Sequence, residues 1–433
     1  MASHLDFSLV LTLLFAAAVV LQWLLRVWLV SRQVRHVAQH RGAVPAAFAH
    51  RISLAAHQKA ADYTLAKARV SLIDITLSAV VLLGWTLLGG LNALNLWLYD
   101  RLDVGLWQQL ALLASFAVIS ALIELPLSLY QTFKLEQRFG FNQMTLGLWL
   151  GDLLKSTLVG AIIGLPLAAL ILWLMGTTGP LWWLWAWGTW TVFNLLLMWI
   201  FPSFIAPLFN KFEPLADENL KARVTGLMQR CGFAAKGLFV MDGSRRSAHA
   251  NAYFTGFGNS KRVVFFDTLL KQLSPDEVEA VLAHELGHFK HKHITKRMVM
   301  MFGVSLLGFG LLGWLSQQAW FYSGLGVSLI EYKYQGVSPA NNAVALLLFM
   351  LAVPVFSFFI TPLMSSMSRR DEFEADAYAM QQADGAQLAS ALLKLYEDNA
   401  STLTPDPWYV SFYYSHPPAV DRLARMPAAT GSL

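Results

Sequence analysis

Residues 281–297 read VLAHELGHFKHKHITKR. The run carries four histidines, Glu285 and a burst of lysine and arginine, and it leads straight into an apolar stretch, Met298–Trp320. Upstream, Ser274 is a good N-cap, Pro275 suits the first helical turn, and Glu277 completes a capping box. A helix of mixed charge therefore abuts a segment long enough to cross a bilayer. That junction decides the class of fold: a polar, motif-bearing part built onto membrane helices.

The composition agrees. The chain has 433 residues, 56% hydrophobic and 14% charged, with mean hydropathy +0.48. A soluble domain carries about 25% charged residues. Sixteen Trp and 28 Phe suit apolar spans with aromatic belts. The net charge of +5 is the excess expected of cytoplasmic loops, so no nucleic-acid partner is inferred. The single cysteine, Cys231, rules out an internal disulfide and a Cys-rich metal site.

Seven runs reach the roughly 20 residues a span needs: Phe7–Val30, Val70–Leu91, Leu106–Leu129, Leu153–Met175, Leu181–Phe201, Met298–Trp320 and Asn341–Leu363. The first lacks a basic n-region and is too long for a signal-peptide core, so it reads as a retained span. "GTTGP" makes spans four and five a tight hairpin. Basic residues alternate sides: Arg32, Arg35, Arg41, Arg51, Lys59, Lys67 and Arg69 in the first loop, Lys134 and Arg138 in the third, Arg369 and Arg370 after span seven. The opposite side has only Arg101 beside Asp100 and Asp103, and Lys333 beside Glu331. Lys and Arg favour the cytoplasm, which puts the N-terminus outside. The expected organisation is spans one to five (1–201), a cytoplasmic strand-bearing region with the motif helix (202–297), spans six and seven (298–363) and a cytoplasmic C-terminal region (364–433). "GLFVMD" and "RVVFFD", with "NAYFTGFGNS" between them, read as a small sheet.

His284-Glu285-Leu286-Gly287-His288 matches H-E-x-x-H. On a helix, positions i and i+4 share a face, so both imidazoles can reach one ion and Glu285 can act on its bound water. By chance such a match arises in roughly one chain in a hundred of this length. A catalytic zinc takes a third protein ligand and keeps one position open. Ile294 stands where a metzincin would place its third histidine, and His291 where it would place glycine. "SRRDEFEADAYAM" offers Glu372 as that ligand, with Asp376 one turn later to accept the free N–H of a zinc-bound imidazole. His291 and His293 read as part of a basic skirt with Lys290, Lys292, Lys296 and Arg297, favoured beside anionic head groups. Asp74, Glu124, Asp152 and Lys155, near span ends, face either a cavity or the interface.

The chain resembles the integral-membrane zinc metalloproteases of the CAAX prenyl protease 1 family. The likeness rests on "LPLSLYQTFKLEQRFGFNQMT", "PLFNKFEPL", "VMDGSRRSAHANAYFTGFGNSKRVVFFDTLL", "HELGH", "EFEAD" and "SHPPAVDRL", and so covers most of the sequence. The resemblance implies a mainly α, multi-pass fold: seven helices around a water-filled chamber, with a zinc-peptidase part containing a small sheet. It implies one Zn2+ held by His284, His288 and Glu372, with Glu285 as base. It also implies that His416 and Arg422 stabilise the oxyanion, and that Asn251, Ala252 and Tyr253 lie along an extended substrate.

The expected function is hydrolysis of peptide bonds, with CAAX-type, C-terminally prenylated peptides as model substrate and membrane-protein quality control as a further role. The partners expected are a peptide or lipidated peptide and the bilayer, and the chain is expected to be a monomer. The closing "PAATGSL" carries no ER-retrieval signal, and the expected location is a bacterial inner membrane. The competing class is a transporter or channel with a structural zinc, in which a fourth protein ligand closes the site.

Overall fold

The computed structural model describes residues 6–233, 237–255, 262–329 and 342–426. Seven helices are long and apolar enough to cross a membrane: Phe7–His40, Leu54–Trp85, Leu106–Phe139, Leu146–Thr177, Gly179–Leu208, His293–Leu315 and Asn342–Gln382. They are spans 1 to 7 below. Their number matches the sequence reading, but their lengths do not. Hydropathy marks the part in hydrocarbon, whereas helical hydrogen bonding continues into water until something stops it. Span 1 runs on to His40 because its polar end is held: Arg32 reaches Asp406 Oδ2 at 3.0 Å, and Arg41 lies 2.7 Å from Asp62.

Span 2 was expected over Val70–Leu91 but begins at Leu54, capped by Ser53, and stops at Trp85. Gly89 has φ +79°, and a Cβ on Gly90 would sit 2.6 Å from the Gly84 carbonyl oxygen. The Gly-Gly pair therefore makes a tight corner into the short helix Gly90–Tyr99, which a hydropathy window reads straight through. Span 6 was expected to end at Trp320, which lies instead in a separate helix, Ala319–Gly324. Glu331 and Lys333, and Asn341 at the expected start of span 7, fall outside the described residues.

Span 1 packs on span 2, span 3 on span 4, span 4 on span 5 and span 5 on span 6, while span 7 touches spans 1, 3, 4 and 6. Glycines let spans 5 and 6 approach: Gly313 faces Trp183, and Trp187 Nε1 donates to the Phe302 carbonyl at 3.2 Å. A cavity of about 780 Å3 opens between spans 1 and 2 and the polar part. Two of the four ionisable residues near span ends are engaged by other partners instead of lining that space. Asp152 takes Arg246 Nε at 2.8 Å, and Lys155 donates to the Leu208 carbonyl at 3.2 Å. Asp74 and Glu124 are exposed.

The polar part holds a sheet of four strands: β1 (Phe212–Pro214), β2 (Gly237–Met241), β3 (Ala252–Thr255) and β4 (Arg262–Phe266), in the order β1-β2-β4-β3. β2 and β4 are parallel and the other pairs antiparallel. Val263, Val264 and Phe265 in β4 are at most 2% exposed, as expected of an inner strand covered on both faces. β3 is an edge. The motif helix, Pro275–Lys290, packs behind the sheet through Leu282 and Leu286.

Its start is the capping box read from sequence, with Ser274 N donating to Glu277 Oε2 at 2.7 Å and Glu277 N to Ser274 Oγ at 3.4 Å. Glu277 also accepts from Ser390 Oγ and Lys394 Nζ, both at 2.8 Å. Burial alone would raise this carboxyl, but Lys394, the Ser274 amide and Ser390 outweigh it and hold the group below its ordinary 4.5. A depressed carboxyl contributes stability that is present above the unfolded value and lost as pH falls through the folded one. Glu277→Gln is therefore expected to lower stability by about 1–3 kcal/mol at neutral pH. In thermal-melt profiles the wild-type advantage should shrink as pH falls below 4.5 and through the depressed folded value; an advantage unchanged at pH 3 would contradict this.

Candidate metal centre

The centre lies where two helices leave the membrane. The motif helix ends at Lys290, and the chain turns through Lys292, which has φ +57°, directly into span 6. Opposite, span 7 does not stop at Leu363. It passes a short 3-10 turn at Phe358–Ile360 and continues as the helix Thr361–Gln382. Glu372 and Asp376 thus ride on the end of span 7 itself.

The two helices touch at Gly287. A Cβ there would lie 2.8 Å from Ala375 Cα and 3.0 Å from its carbonyl oxygen, so glycine in the motif and the small alanine opposite set the approach. This brings His284, His288 and Glu372 together, with one ligand atom from each within 4.8 Å of the others. His284 Nε2 is 3.4 Å from Glu372 Oε2, and His288 Nε2 is 3.4 Å from Oε1. Glu372 Oε2 is buried with no hydrogen-bond partner. A desolvated carboxylate oxygen without a donor is costly. Two imidazoles and that oxygen, converging on one point, suit a divalent transition metal.

The outer nitrogens are fixed. His284 Nδ1 lies 2.8 Å from Asp376 Oδ1, and Asp376 accepts from Arg422 Nε at 2.8 Å and from a terminal nitrogen at 2.6 Å. Arg422 is 7% exposed, so the guanidinium and carboxylate form a buried pair behind His284. Burial works against protonating His284, but Asp376 and Glu372 overcome it and raise the ring to about 9. Burial and the neighbouring His284 charge take His288 down to about 4. Without metal, the proton resides on His284 and His288 is neutral. Burial pushes the Glu285 carboxyl up; the His284 charge opposes this and the Glu372 charge reinforces it.

His293 corrects the sequence reading. It does not belong to a basic skirt: it is 1% exposed. Its Nδ1 is 3.0 Å from His288 Nδ1, and its Nε2 is 3.1 Å from Glu374 Oε2 and 3.6 Å from Asp371 Oδ1. It stands to His288 as Asp376 stands to His284. Spacing could not show this, because the left-handed turn at Lys292 separates the two histidines and breaks the helical period. His291 is half-buried, with its Nδ1 3.9 Å from Glu374 Oε2.

The remaining residues from the sequence divide. His416 Nε2 is 3.4 Å from Glu372 Oε1, while its Nδ1 meets Ser415 Oγ at 2.9 Å. Asn251, His416 and Arg422 all line the 780 Å3 cavity. Ala252 begins β3, its amide donating to Asn251 Oδ1 at 2.8 Å. The Tyr253 side chain faces away, against Phe266 and a small apolar pocket with Phe212 and Phe239. Sequence spacing gave no hint of Asn399. Its Oδ1 accepts from the Ala250 amide at 3.2 Å and lies 3.1 Å from His249 Nδ1, holding the segment that leads into β3.

Removing a partner that orients a metal-bound imidazole typically costs 10–100-fold in metal affinity. His293→Ala is expected to lose metal in that range by chelator competition, with His293→Asn, whose amide oxygen can still accept from His288 Nδ1, losing less. Equal retention in wild type and His293→Ala would contradict this role.

Comparison with known proteins agrees with the geometry. Residues 33–211 match the CAAX prenyl protease N-terminal family of five membrane helices, and residues 214–430 match peptidase family M48. The chain is 39% identical over 331 residues to CAAX prenyl protease 1 of Saccharomyces cerevisiae, covering 74% of this chain and 72% of that one. It is 34% identical over 353 residues to the human CAAX prenyl protease 1 homolog, covering 73% of each. The crystal structure of S. mikatae Ste24p superposes with a TM-score of 0.88 at 32% identity, covering 96% of this chain and 98% of that chain. These relatives are eukaryotic and lend no support to a bacterial membrane, and none supports a transporter. The chain belongs to peptidase family M48, in its CAAX prenyl protease 1 branch, and is a multi-pass membrane metallopeptidase.

Proposed function

We propose that this protein is a zinc endopeptidase that cleaves extended peptides at the cytoplasmic end of its membrane chamber, with C-terminal CAAX-type peptides as substrates. One observation carries the reading: His284, His288 and the orphaned oxygen of Glu372 converge beside a large cavity that Asn251, His416 and Arg422 also line. The family's names support the substrate class. The Lys and Arg distribution supports a cytoplasmic centre with the N-terminus outside.

His284, His288 and Glu372 would hold zinc, one per chain. When bound, zinc supplies a Lewis acid that acidifies a water and polarises the scissile carbonyl. Asp376 and His293 keep the two imidazoles turned to present Nε2. Glu285 takes the proton of the attacking water and passes it to the leaving amine. Burial suits it to this work by raising its basicity. His416, beside Glu372 and largely exposed to the cavity, donates to the oxyanion as it forms. Arg422 has two donors engaged by Asp376, so it contributes positive charge and holds His284 from behind. The free edge of β3 offers backbone groups to an incoming strand, with Asn251 at its head. Each chain contains the whole constellation, which supports function as a monomer.

Glu285→Gln is expected to retain zinc and thermal stability while losing at least 100-fold in peptide hydrolysis, the scale of general-base loss. Mass spectrometry of products from a peptide mixture, prenylated and not, reads this directly, and chelator should abolish the wild-type products. Full activity in Glu285→Gln would sink the mechanism.

A further inference from the structure

The charge on the cavity wall is one-sided. Among the described residues no aspartate or glutamate lines the 780 Å3 space, whereas Lys67 and Arg422 both do, with His249 and His416. Arg422 is neutralised by its two bonds to Asp376. Lys67 is not. It is exposed and makes no ion pair among the described residues. Its Nζ sits 4.9 Å from the centre of the Tyr63 ring. The Tyr63 hydroxyl donates to Glu136 at 2.7 Å, which holds that carboxylate at the hydroxyl end of the ring, 3.9 Å from His249 Nε2, and not beside Lys67. Thr64, Lys67 and Ser71 share one stripe of span 2, spaced i, i+3 and i+7, so the face that carries the lysine is the face turned to the cavity.

We infer that Lys67 is an anchor for the free C-terminal carboxylate of the peptide substrate. The inference rests on the peptidase reading above and adds the polarity of the bound chain. The cavity wall includes His249, Ala250 and Asn251 but none of Ala252–Phe254. A peptide lying along the β3 edge therefore enters the cavity as it passes Asn251. A chain end placed there is either an ammonium or a carboxylate. A wall with an uncompensated lysine and no acid accepts the carboxylate and repels the ammonium. The neutral polar lining (Thr64, Ser71, Asn399 and Ser401) supplies further hydrogen bonds, and the volume falls in the 300–1,000 Å3 range typical of ligand sites.

The test compares one CAAX-type peptide, free of Asp and Glu, as its C-terminal acid and its C-terminal amide, on wild type, Lys67→Met and Lys67→Arg. A charge-assisted hydrogen bond corresponds to about 10–100-fold. Wild type and Lys67→Arg are expected to favour the acid by about that factor in kcat/KM, chiefly through KM. In Lys67→Met the ratio should fall towards one, with melting temperature and zinc content as folding controls. Fluorescence anisotropy of the same labelled peptides on zinc-loaded Glu285→Gln reads the preference without hydrolysis. Hydrolysis of acid and amide at equal efficiency by wild type overturns the anchor and leaves the peptidase reading standing. An acid preference that survives in Lys67→Met overturns the assignment to Lys67. An amide peptide ending in Glu that binds as well as the acid overturns the C-terminal source of the carboxylate. No hydrolysis of any peptide by wild type defeats the peptidase reading, and anisotropy then still decides whether the cavity selects a carboxylate.

Discussion

Everything at the centre depends on the contact between Gly287 and Ala375. The motif helix and the end of span 7 approach so closely there that a single added carbon would meet backbone at 2.8 Å. That approach carries Glu372 to the two histidines and Asp376 to the back of one of them. The two helices are rigidly continuous with spans 6 and 7, through the tight turn at Lys292 and the 3-10 turn at Phe358–Ile360 respectively. The metal centre is thus a property of how two membrane helices emerge. A shift in their packing would be felt as a change in ligand geometry.

The same arrangement explains why charge collects in so apolar a chain. Each imidazole has its outer nitrogen satisfied: His284 by Asp376 from the other side of the contact, which Arg422 clamps in turn, and His288 by His293 at the start of span 6, which Glu374 and Asp371 hold from span 7. Arg297 closes the group on Asp371 at 2.8 Å. Buried charges are tolerable when paired and hydrogen-bonded in this way. The cavity wall is the exception: a lysine without an acid beside it has use for a charge the protein does not supply.

Much of this was legible in the sequence. Seven apolar runs, the capped motif helix, and the pairing of H-E-x-x-H with Glu372 and Asp376 follow from period and spacing, because helices place i and i+4 on one face. The chemical reading was sharpened by family resemblance, since Asn251, His416 and Arg422 stand on separate elements that no local pattern links. What spacing could not show has a common cause: contacts made across breaks in the helical period. His293 lies beyond a left-handed turn, the corner at Gly89–Gly90 is hidden in an apolar run, and Asn399 meets His249 across about 150 residues of sequence. Helix ends were misplaced for another reason: hydropathy reports where lipid stops, not where hydrogen bonding does.

The central claim is an open catalytic metal site formed by two helices at the membrane face. Zinc-edge anomalous diffraction from crystals of the purified protein, with and without a phosphinic peptide, tests it most directly. The account predicts one zinc per chain, bound by His284, His288 and Glu372, with the inhibitor oxygen on the remaining position. A metal closed by a fourth protein side chain, or located away from these three residues, would contradict it.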